Sequence, residues 1–288
     1  MSEMVKTMKS NDTGNSRITE SQMHDALTRS GYLLESRIVN LLVDNGFFVE
    51  PNQRILDAVT QKSREIDLIA EQSDRTDVRL HIEEKVVVSV RFVCEIKNNP
   101  HPVVLLTELP FSPNLEIWES LHEARTGFPR NNYIEPSFFE LLTEDRKLFT
   151  QYCSFRPKKN ASTTDWMAWH PDDFHNDLEK LITYCLSATE QSEQLGDDFH
   201  RLFLYIPVVI LASDLYSAEL LQTDTKLSKI DYGYHVHFDT RGEEQLISLV
   251  LFVTEKECLK KFKEIVSIGK DIEKNIYQSV ISARSENS

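Results

Sequence analysis

The sequence predicts one α/β domain with a mixed central sheet flanked by helices, and two features carry this prediction. Two long segments, VVVSVRFVCEIK at Val86–Lys97 and LFLYIPVVILA at Leu202–Ala212, are almost continuously apolar, which is typical of central strands covered on both faces. Helical periodicity precedes the first segment, lies between the two and follows the second. Because no linker divides the 288 residues, this order of helices and strands favours a single domain.

The N-terminal region divides into a tail and a helical part. Residues 1–18 show no periodicity and are rich in Ser, Asn, Lys and Met, which predicts a disordered tail ahead of a domain that covers residues 19–288. From Thr19 the pattern is helical, and an apolar stripe at Leu34–Leu42 continues it. Asn45-Gly46 is a typical signal for the end of a helix.

The core that carries the motifs is expected at residues 30–105, where short β-prone segments follow this helical part. A turn signal, Asn98-Asn99-Pro100, ends the long strand at Val86–Lys97, because proline cannot donate to a strand ladder. The other predicted strands of this core are Phe47–Val49, Arg54–Leu56, Arg64–Ala70 and Val103–Leu106.

The pattern predicts a helical insert over residues 106–200 and further strands with a closing helix over residues 201–288. Within the insert, Ser137 is expected to cap a helix that extends to Phe149, and a second helix is expected from Pro171. The segment between them, Arg156–Trp169, is interpreted as a loop. The predicted elements after Ala212 are strands at Tyr232–Phe238 and Leu246–Val253 and a helix from about Thr254.

The charge balance restricts the kind of partner. The chain has 32 Lys and Arg against 46 Asp and Glu, a formal net charge of −14, which is the opposite of the balance usual in proteins that wrap nucleic acid. A polyanion such as DNA must therefore meet a locally basic surface. The acidic segment at residues 101–200 fits either a specificity insert or a surface for a partner protein.

Several classes of protein lack their characteristic motifs in this sequence. It has no GxxxxGK[ST] loop, no GxGxxG and no GxSxG elbow, which removes P-loop motors, dinucleotide enzymes and common serine hydrolases as leading candidates. The four cysteines are far apart and have no CxxC spacing, which favours reduced thiols in a cytoplasmic protein. No apolar run reaches the ~18 to 20 residues of a membrane span, so we expect no membrane association.

Charged residues interrupt two apolar strands, and each needs compensation. Glu95 and Lys97 are two positions apart and therefore share one face of the strand Val86–Lys97. Asp67 stands between aliphatic neighbours in IDLIA. Burying an unpaired carboxylate or ammonium is costly, so these side chains need ionic partners, a metal or a cleft. Glu35 shares a helix edge with core positions and is expected at the border of the same cleft.

Two carboxylates and an ammonium in one cleft suit the hydrolysis of a phosphodiester. Carboxylate oxygens are ligands that Mg²⁺ prefers, and bound Mg²⁺ polarises a phosphoryl group and lowers the pKa of water. The ammonium of Lys97 can orient that water and stabilise the charge that develops on the phosphoryl group. These residues therefore predict a magnesium-dependent hydrolytic site.

The order of these residues resembles the PD-(D/E)xK, or restriction-endonuclease-like, nuclease superfamily: Glu35 on a leading helix, Asp67 in REIDLIAE, and Glu95-Ile96-Lys97 after VVVSVRFVC. The resemblance implies a restriction-endonuclease-like fold and a Mg²⁺-dependent endonuclease that cuts DNA, with Mn²⁺ as a substitute. By position it implies that Asp67, Glu95 and Glu35 bind the metal and that Lys97 is catalytic. It also implies a role in restriction or defence, as a homodimer or with a partner protein.

Other interpretations of the same residues stay open. Glu95 and Lys97 also fit an ion pair on an exposed edge strand. The whole chain also fits a catalytically silent member of the same fold that acts as a nucleic-acid-binding or scaffolding subunit. A second ExK, Glu83-Glu84-Lys85, is interpreted as solvated charge, and Glu65 fits either a metal ligand or a charge at the sheet edge.

The histidines offer a second candidate site. His235 and His237, followed by Asp239, fit either a zinc-dependent hydrolytic site or the polar face of a half-exposed strand. The remaining histidines of the second half of the chain are expected to be isolated surface residues: His170, His175 and His200.

One basic and aromatic cluster stands out in the middle of the chain. Its members are Trp166, Trp169, Arg156, Lys158 and Lys159. The cluster fits either a surface that stacks and grips nucleic acid or a buried aromatic anchor beside a solvated basic loop.

Overall fold

The computed structural model describes residues 17–56, 63–73, 86–109, 117–118, 122–126, 137–144, 146–158, 165–193, 200–221, 224–241 and 244–285. Most of the predicted tail at residues 1–18 lies outside the described residues. The helices are α1 Glu20–Ser30, α2 Tyr32–Asp44, α3 Phe138–Thr143, α4 Asp172–Glu193 and α5 Cys258–Ser285. The strands are β1 Phe48–Leu56, β2 Ser63–Ser73, β3 Val86–Lys97, β4 Val103–Glu108, β5 Glu123–Thr126, β6 Leu148–Pro157, β7 Trp166–Trp169, β8 His200–Leu211, β9 Leu215–Leu220, β10 Thr225–Ile230, β11 Tyr232–Arg241 and β12 Glu244–Thr254.

The strands form a mixed sheet whose centre is the parallel pair β3 and β8. These two strands pair along their whole length, from Val86 opposite His200 to Lys97 opposite Leu211. The order across the sheet is β1-β2-β3-β8-β12-β11-β6-β4-β9-β10, with β5 beside β8 and β7 beside β6. Strand β2 is antiparallel to both β1 and β3. The residues that end β3 therefore lie well inside the sheet.

Helices cover both faces of this sheet, and each face has its own apolar core. On one face, α2, α3 and α5 pack on β3, β8 and β12 through side chains such as Ile38, Phe262 and Phe92. Phe92 and Phe262 stack with ring centroids 3.9 Å apart. On the other face, α4 contributes Leu178 and Leu181 to a second buried cluster. The predicted mixed α/β class, with a central sheet flanked by helices, is confirmed.

Several predicted element boundaries are confirmed, and one pair of strands merges. Thr19 caps α1 together with Gln22 in a capping box, and α2 ends at Asp44, with Asn45 as its C-cap. Gly31, which has a φ of 92°, separates α1 from α2. The segments Phe47–Val49 and Arg54–Leu56, predicted as two strands, are the ends of the single strand β1. Pairing with β2 joins the two ends into one strand, because it continues on both sides of Asn52, a residue whose φ of 53° interrupts the extended backbone.

The middle segment differs most from its prediction as a helical insert. Residues 106–200 also contribute strands β5, β6 and β7 to the sheet. Phe149, expected in the helix capped by Ser137, lies in β6, and Arg156–Trp169, expected as a loop, contains an antiparallel pairing of β6 with β7. Strand β6 also pairs with β4 and β11, which are remote in sequence, so tertiary pairing overrides the local pattern.

Two further predictions concern the cysteines and the membrane. All four cysteines are free, and Cys94, Cys185 and Cys258 are buried. No helix in the described part of the chain combines the length and the apolar character needed to cross a bilayer.

Gly269 sets the distance between α5 and β3, and its substitution is a test of this packing. A Cβ at Gly269 would lie 2.8 Å from Cγ2 of Val90, a stiff side chain in a buried strand. We expect Gly269→Ala to lower the free energy of unfolding by about 1–3 kcal/mol through overpacking, even though Ala favours helices over Gly. Urea unfolding measures the change.

The control is Ser267→Ala, at an exposed position of the same helix, which should change the free energy of unfolding by less than about 0.5 kcal/mol. Equal stability of the Gly269→Ala and Ser267→Ala variants would contradict the close approach of α5 to β3.

Candidate active site

The site begins where the pairing of β2 with β3 stops. These two fully described strands pair from Ser73 opposite Ser89 to Leu68 opposite Cys94. Beyond that point, Oδ2 of Asp67 accepts a hydrogen bond from the backbone N–H of Ile96 at 2.7 Å. The Asp67 carboxylate thus accepts the backbone hydrogen bond that a paired strand would accept from Ile96. The two strands separate at this point, beside Glu95, and we call it the fork of β2 and β3.

Glu95 is the buried centre of the site. Its side chain is 2% exposed, and it forms ion pairs with Lys180, at 2.6 Å from Oε1, and with Lys97, at 3.7 Å from Oε2. Burial and the charge of Asp67 raise the pKa of Glu95 to about 8, although Lys180 acts in the opposite direction. Burial therefore favours the neutral form of the Glu95 carboxyl, whereas its two lysine partners favour the carboxylate.

Helix α4 supplies two site residues that the sequence analysis missed. Asp177 forms an ion pair with Lys97 and lies 3.4 Å from the ammonium of Lys180. Lys180 also donates to the backbone carbonyl of Glu65 at 2.7 Å, which fastens α4 to β2. The sequence contains a pattern that could have identified both residues. Asp177 and Lys180 are three positions apart, so they lie on one side of the helix, and they border the apolar stripe that packs on the sheet.

Lys97 stays charged in this setting. Burial lowers the pKa of its ammonium, but Asp177, Glu95 and Asp67 outweigh that effect, so the pKa of Lys97 is raised above its ordinary value. The site therefore holds a fixed cation among carboxylates, away from bulk water. Such a group is suited to stabilise negative charge that develops on a bound phosphoryl group.

Glu35 lies at the edge of the site without touching its centre. It is half-buried on α2, and burial together with the charge of Asp67 raises the pKa of Glu35. Asn98, which follows β3, links this strand to α1, the helix before α2, because its side-chain amide donates to the backbone carbonyl of Thr28 at 2.8 Å. The structure thus brings Asp67, Glu95 and Lys97 together and leaves Glu35 as an electrostatic neighbour.

The donor chemistry of the site fits an oxygen-liganded cation. Oε1 of Glu95 and Oδ2 of Asp177 are fully buried and have no hydrogen bond with good geometry, although each faces a lysine ammonium. In the part of the chain that the structure describes, no group of three or more acidic, histidine or cysteine side chains is already arranged as a ligand set. The ammonium groups of Lys97 and Lys180 lie between the carboxylates, so a metal must displace at least one of them.

The competing acidic residues stand apart from this cluster. The side chain of Glu65 is 49% exposed and lies 3.8 Å from Arg54, which matches the interpretation as a charge at the sheet edge. The second ExK, Glu83-Glu84-Lys85, lies outside the described residues.

His170 and His175 are exposed, as expected for surface residues, but they are not isolated from the other histidines. Ring centroids of His170 and His175 are 6.2 Å apart, and His175 is 5.9 Å from His237, which in turn is 6.0 Å from His235. The beginning of α4 and the end of β7 lie over β11, and this long-range packing joins histidines that are about 60 positions apart in sequence. His200 is the first residue of β8.

The basic and aromatic cluster pairs within itself. Arg156 lies 4.6 Å from the ring centre of Trp169, and Lys158 forms an ion pair with Asp165 at 2.6 Å. Lys159 lies outside the described residues. Two of the basic groups therefore already have partners. Trp166 is 47% exposed, so the expectation of a buried aromatic anchor is wrong for this residue.

Comparison of the chain with protein-family models, with curated proteins and with solved structures returns no match.

The raised pKa of Glu95 predicts how stability depends on pH. Between its ordinary value of 4.5 and about 8, the folded protein binds more protons at Glu95 than the unfolded protein does. The free energy of unfolding of the metal-free protein should therefore fall as the pH rises through this window. We expect Glu95→Gln, which cannot ionise, to flatten that fall, as measured by urea unfolding in EDTA at several pH values.

Glu190→Gln, at an exposed position of α4, is the control and should keep the pH dependence of the wild type. A Glu95→Gln variant that loses stability with pH as steeply as the wild type would show that Glu95 is not the group that titrates.

Proposed function

We propose that the chain is a metal-dependent endonuclease of the PD-(D/E)xK superfamily that hydrolyses phosphodiester bonds in DNA. The observation that carries the proposal is the buried cluster at the fork of β2 and β3, in which carboxylates and ammonium groups are held against one another. Burying so many charges in one place costs stability, and a purely structural sheet can be built without them. Perturbed titratable groups gathered in a cleft are typical of functional sites.

The carboxylates are the groups that would hold the metal. Asp67 and Glu95 fit the ligand roles that the family resemblance implies, Asp177 adds a third carboxylate, and Glu35 lies at the outer edge. A bound Mg²⁺ or Mn²⁺ supplies Lewis acidity toward the phosphoryl oxygen and lowers the pKa of water. Glu95 must lose its proton to become a ligand, so metal affinity should rise with pH as this group ionises.

The two lysines have different roles in this proposal. Lys97 shares the face of β3 with Glu95 and is fixed by Asp177, so its ammonium can orient the attacking water and stabilise charge on the phosphoryl group. Lys180 faces Glu95 and Asp177 and compensates their charge when no metal is present. If a cation were bound, Lys180 would have to leave these carboxylates or share them with the cation.

The proposal also accounts for the acidic balance of the chain. With a net charge of −14, most of the surface repels a polyanion. At the site, Lys97, Lys180 and a divalent cation would offset the carboxylates, so that a phosphodiester could approach there. A partner chain or a dimer would supply the basic surface that holds the rest of the DNA.

Removal of the catalytic groups tests the activity directly. We expect the wild type to cleave supercoiled DNA in Mg²⁺ or Mn²⁺, with cleavage abolished by EDTA. Lys97→Ala and Glu95→Gln should each slow cleavage at least about 100-fold, because each removes a group that acts on the developing charge or on the metal. Gel assays of supercoiled DNA, linear DNA and RNA give the rates and the preferred substrate.

The matched control is Lys274→Ala, a lysine on α5 whose side chain is 71% exposed and pairs only with Asp271 among the described residues. It should cleave at the wild-type rate. Metal-dependent cleavage that survives in both Lys97→Ala and Glu95→Gln would refute the assignment of this site.

A second candidate function rests on one specific observation. Because Lys97 and Lys180 already compensate the carboxylates, the cluster is complete without a metal. A catalytically silent protein of the same fold, acting as a nucleic-acid-binding or scaffolding subunit, also fits this arrangement. Such a protein would bind no Mn²⁺ at the site and cleave neither DNA nor RNA.

Lys180→Met distinguishes the two candidates through metal binding. If Lys180 competes with a cation for Glu95 and Asp177, its removal should raise the affinity for Mn²⁺ at least about tenfold, since the carboxylates lose a competing charge. Titration with Mn²⁺ followed by electron paramagnetic resonance measures free and bound ion. Lys274→Met is the control, and absent binding in both wild type and Lys180→Met would favour the silent subunit.

A further inference from the structure

A pocket of about 430 Å³ lies beside the active site, between β6, β11 and the beginning of α4. Imidazole and other aromatic rings dominate its walls. They belong to Tyr152, His170, His175, His235, His237 and Phe238. Its volume lies in the range of pockets that bind small molecules.

Two buried polar atoms of this pocket, Nδ1 of His235 and the hydroxyl of Tyr152, make no hydrogen bond of good geometry. The backbone of Phe149 lies close to the His235 ring and acts to raise its pKa. His235 is 3% exposed and Tyr152 is 4% exposed. Unsatisfied buried polar groups cost free energy and are rare in folded proteins, so two of them in one pocket indicate a ligand that forms hydrogen bonds.

The charge and geometry of the pocket disfavour ions. Burial and the neighbouring His237 lower the pKa of His235 to about 3, so its ring is neutral and offers no charge to an anion. Successive imidazole centroids are about 6 Å apart. Within the described residues no three of these side chains converge as metal ligands, so the zinc-site interpretation of His235 and His237 has no support in this geometry. A neutral ligand fits better.

The aromatic walls favour a flat ligand. The ring of Tyr152 lies 4.3 Å from that of His170 and 5.1 Å from that of His235, the latter at 90°. A heteroaromatic ring can stack on the exposed rings of this pocket, which belong to His170, His175 and Phe238, and direct its polar edge toward the buried polar atoms. Nucleobases have this combination of a π face and a hydrogen-bonding edge.

The position of the pocket connects it with the active site. Phe174 of α4 lies between the two: its ring centre is 5.9 Å from Nζ of Lys97 and 6.0 Å from the ring of Tyr152. A strand whose phosphodiester lies at Lys97 therefore has a neighbouring nucleotide within reach of the pocket.

We propose that this pocket binds a nucleobase, presented by the strand that the active site holds. The assignment of the base to a bound strand rests on the proposed nuclease function, whereas recognition of the base itself does not. A free mononucleotide offers the same chemistry, and the experiment separates these two sources.

The test uses the full chain in EDTA, so that binding is measured without cleavage. The probes are 2-aminopurine riboside monophosphate and a single-stranded DNA oligonucleotide that carries one 2-aminopurine. We expect saturable quenching of the 2-aminopurine fluorescence as the base stacks on the aromatic walls. Tyr152→Ala and His235→Ala should weaken binding at least about tenfold, and Tyr152→Phe, which keeps the ring, should weaken it less.

His24→Ala, on the exposed face of α1, is the matched control and should bind like the wild type. Quenching by the monophosphate identifies recognition of the base alone, and quenching only by the oligonucleotide identifies a base within a strand; both support the pocket. Unchanged fluorescence with both probes would overturn it. So would wild-type affinity in Tyr152→Ala and His235→Ala, or tight Zn²⁺ binding that His235→Ala abolishes.

The outcomes for the pocket and for the nuclease are independent. Quenching in EDTA by a protein that never cleaves DNA would support the pocket and refute the proposed activity. Cleavage that depends on Lys97, without quenching by either probe, would refute the pocket alone.

Discussion

The buried carboxyl group of Glu95, at the end of the central strand β3, is the constraint on which the site depends. A carboxylate that is 2% exposed requires compensation, and the chain provides it from two directions. Lys97 comes from the same strand, and Lys180 comes from the helix that covers it. Asp177 then holds the two lysines in place. The position of α4 on the sheet is thus fixed by charge as well as by apolar packing.

The raised pKa of Glu95 shows how closely the groups of the cluster interact. Burial and the charge of Asp67 raise it to about 8, and Lys180 acts in the opposite direction. The ammonium groups of Lys97 and Lys180 lie against Glu95 and Asp177 and compensate their charge without a metal. Under the proposed function, a divalent cation bound here would favour the ionised form of Glu95 and would compete with the lysines. Binding of the metal, the proton and the lysines would then be linked at one site.

Helix α4 connects the two functional regions proposed for the protein. His175 at its beginning lines the aromatic pocket, and Asp177 and Lys180, less than two turns later, belong to the charged cluster. The ring of Phe174 lies between the aromatic pocket and the charged cluster. Because one rigid helix carries both sets of side chains, a strand held at the cluster would present its neighbouring base to the pocket in a defined position.

The sequence by itself determined the central strands, the mixed α/β class, and the placement of Glu95 and Lys97 on one face, because these follow from local apolar runs and a two-residue alternation. It also singled out Asp67. Only the tertiary structure decided that Asp177 joins the cluster, since a helix does not reveal in its own pattern which strands it covers. The strands β6 and β7 and the gathering of the histidines depend in the same way on pairing between distant segments, whose energy no local pattern contains.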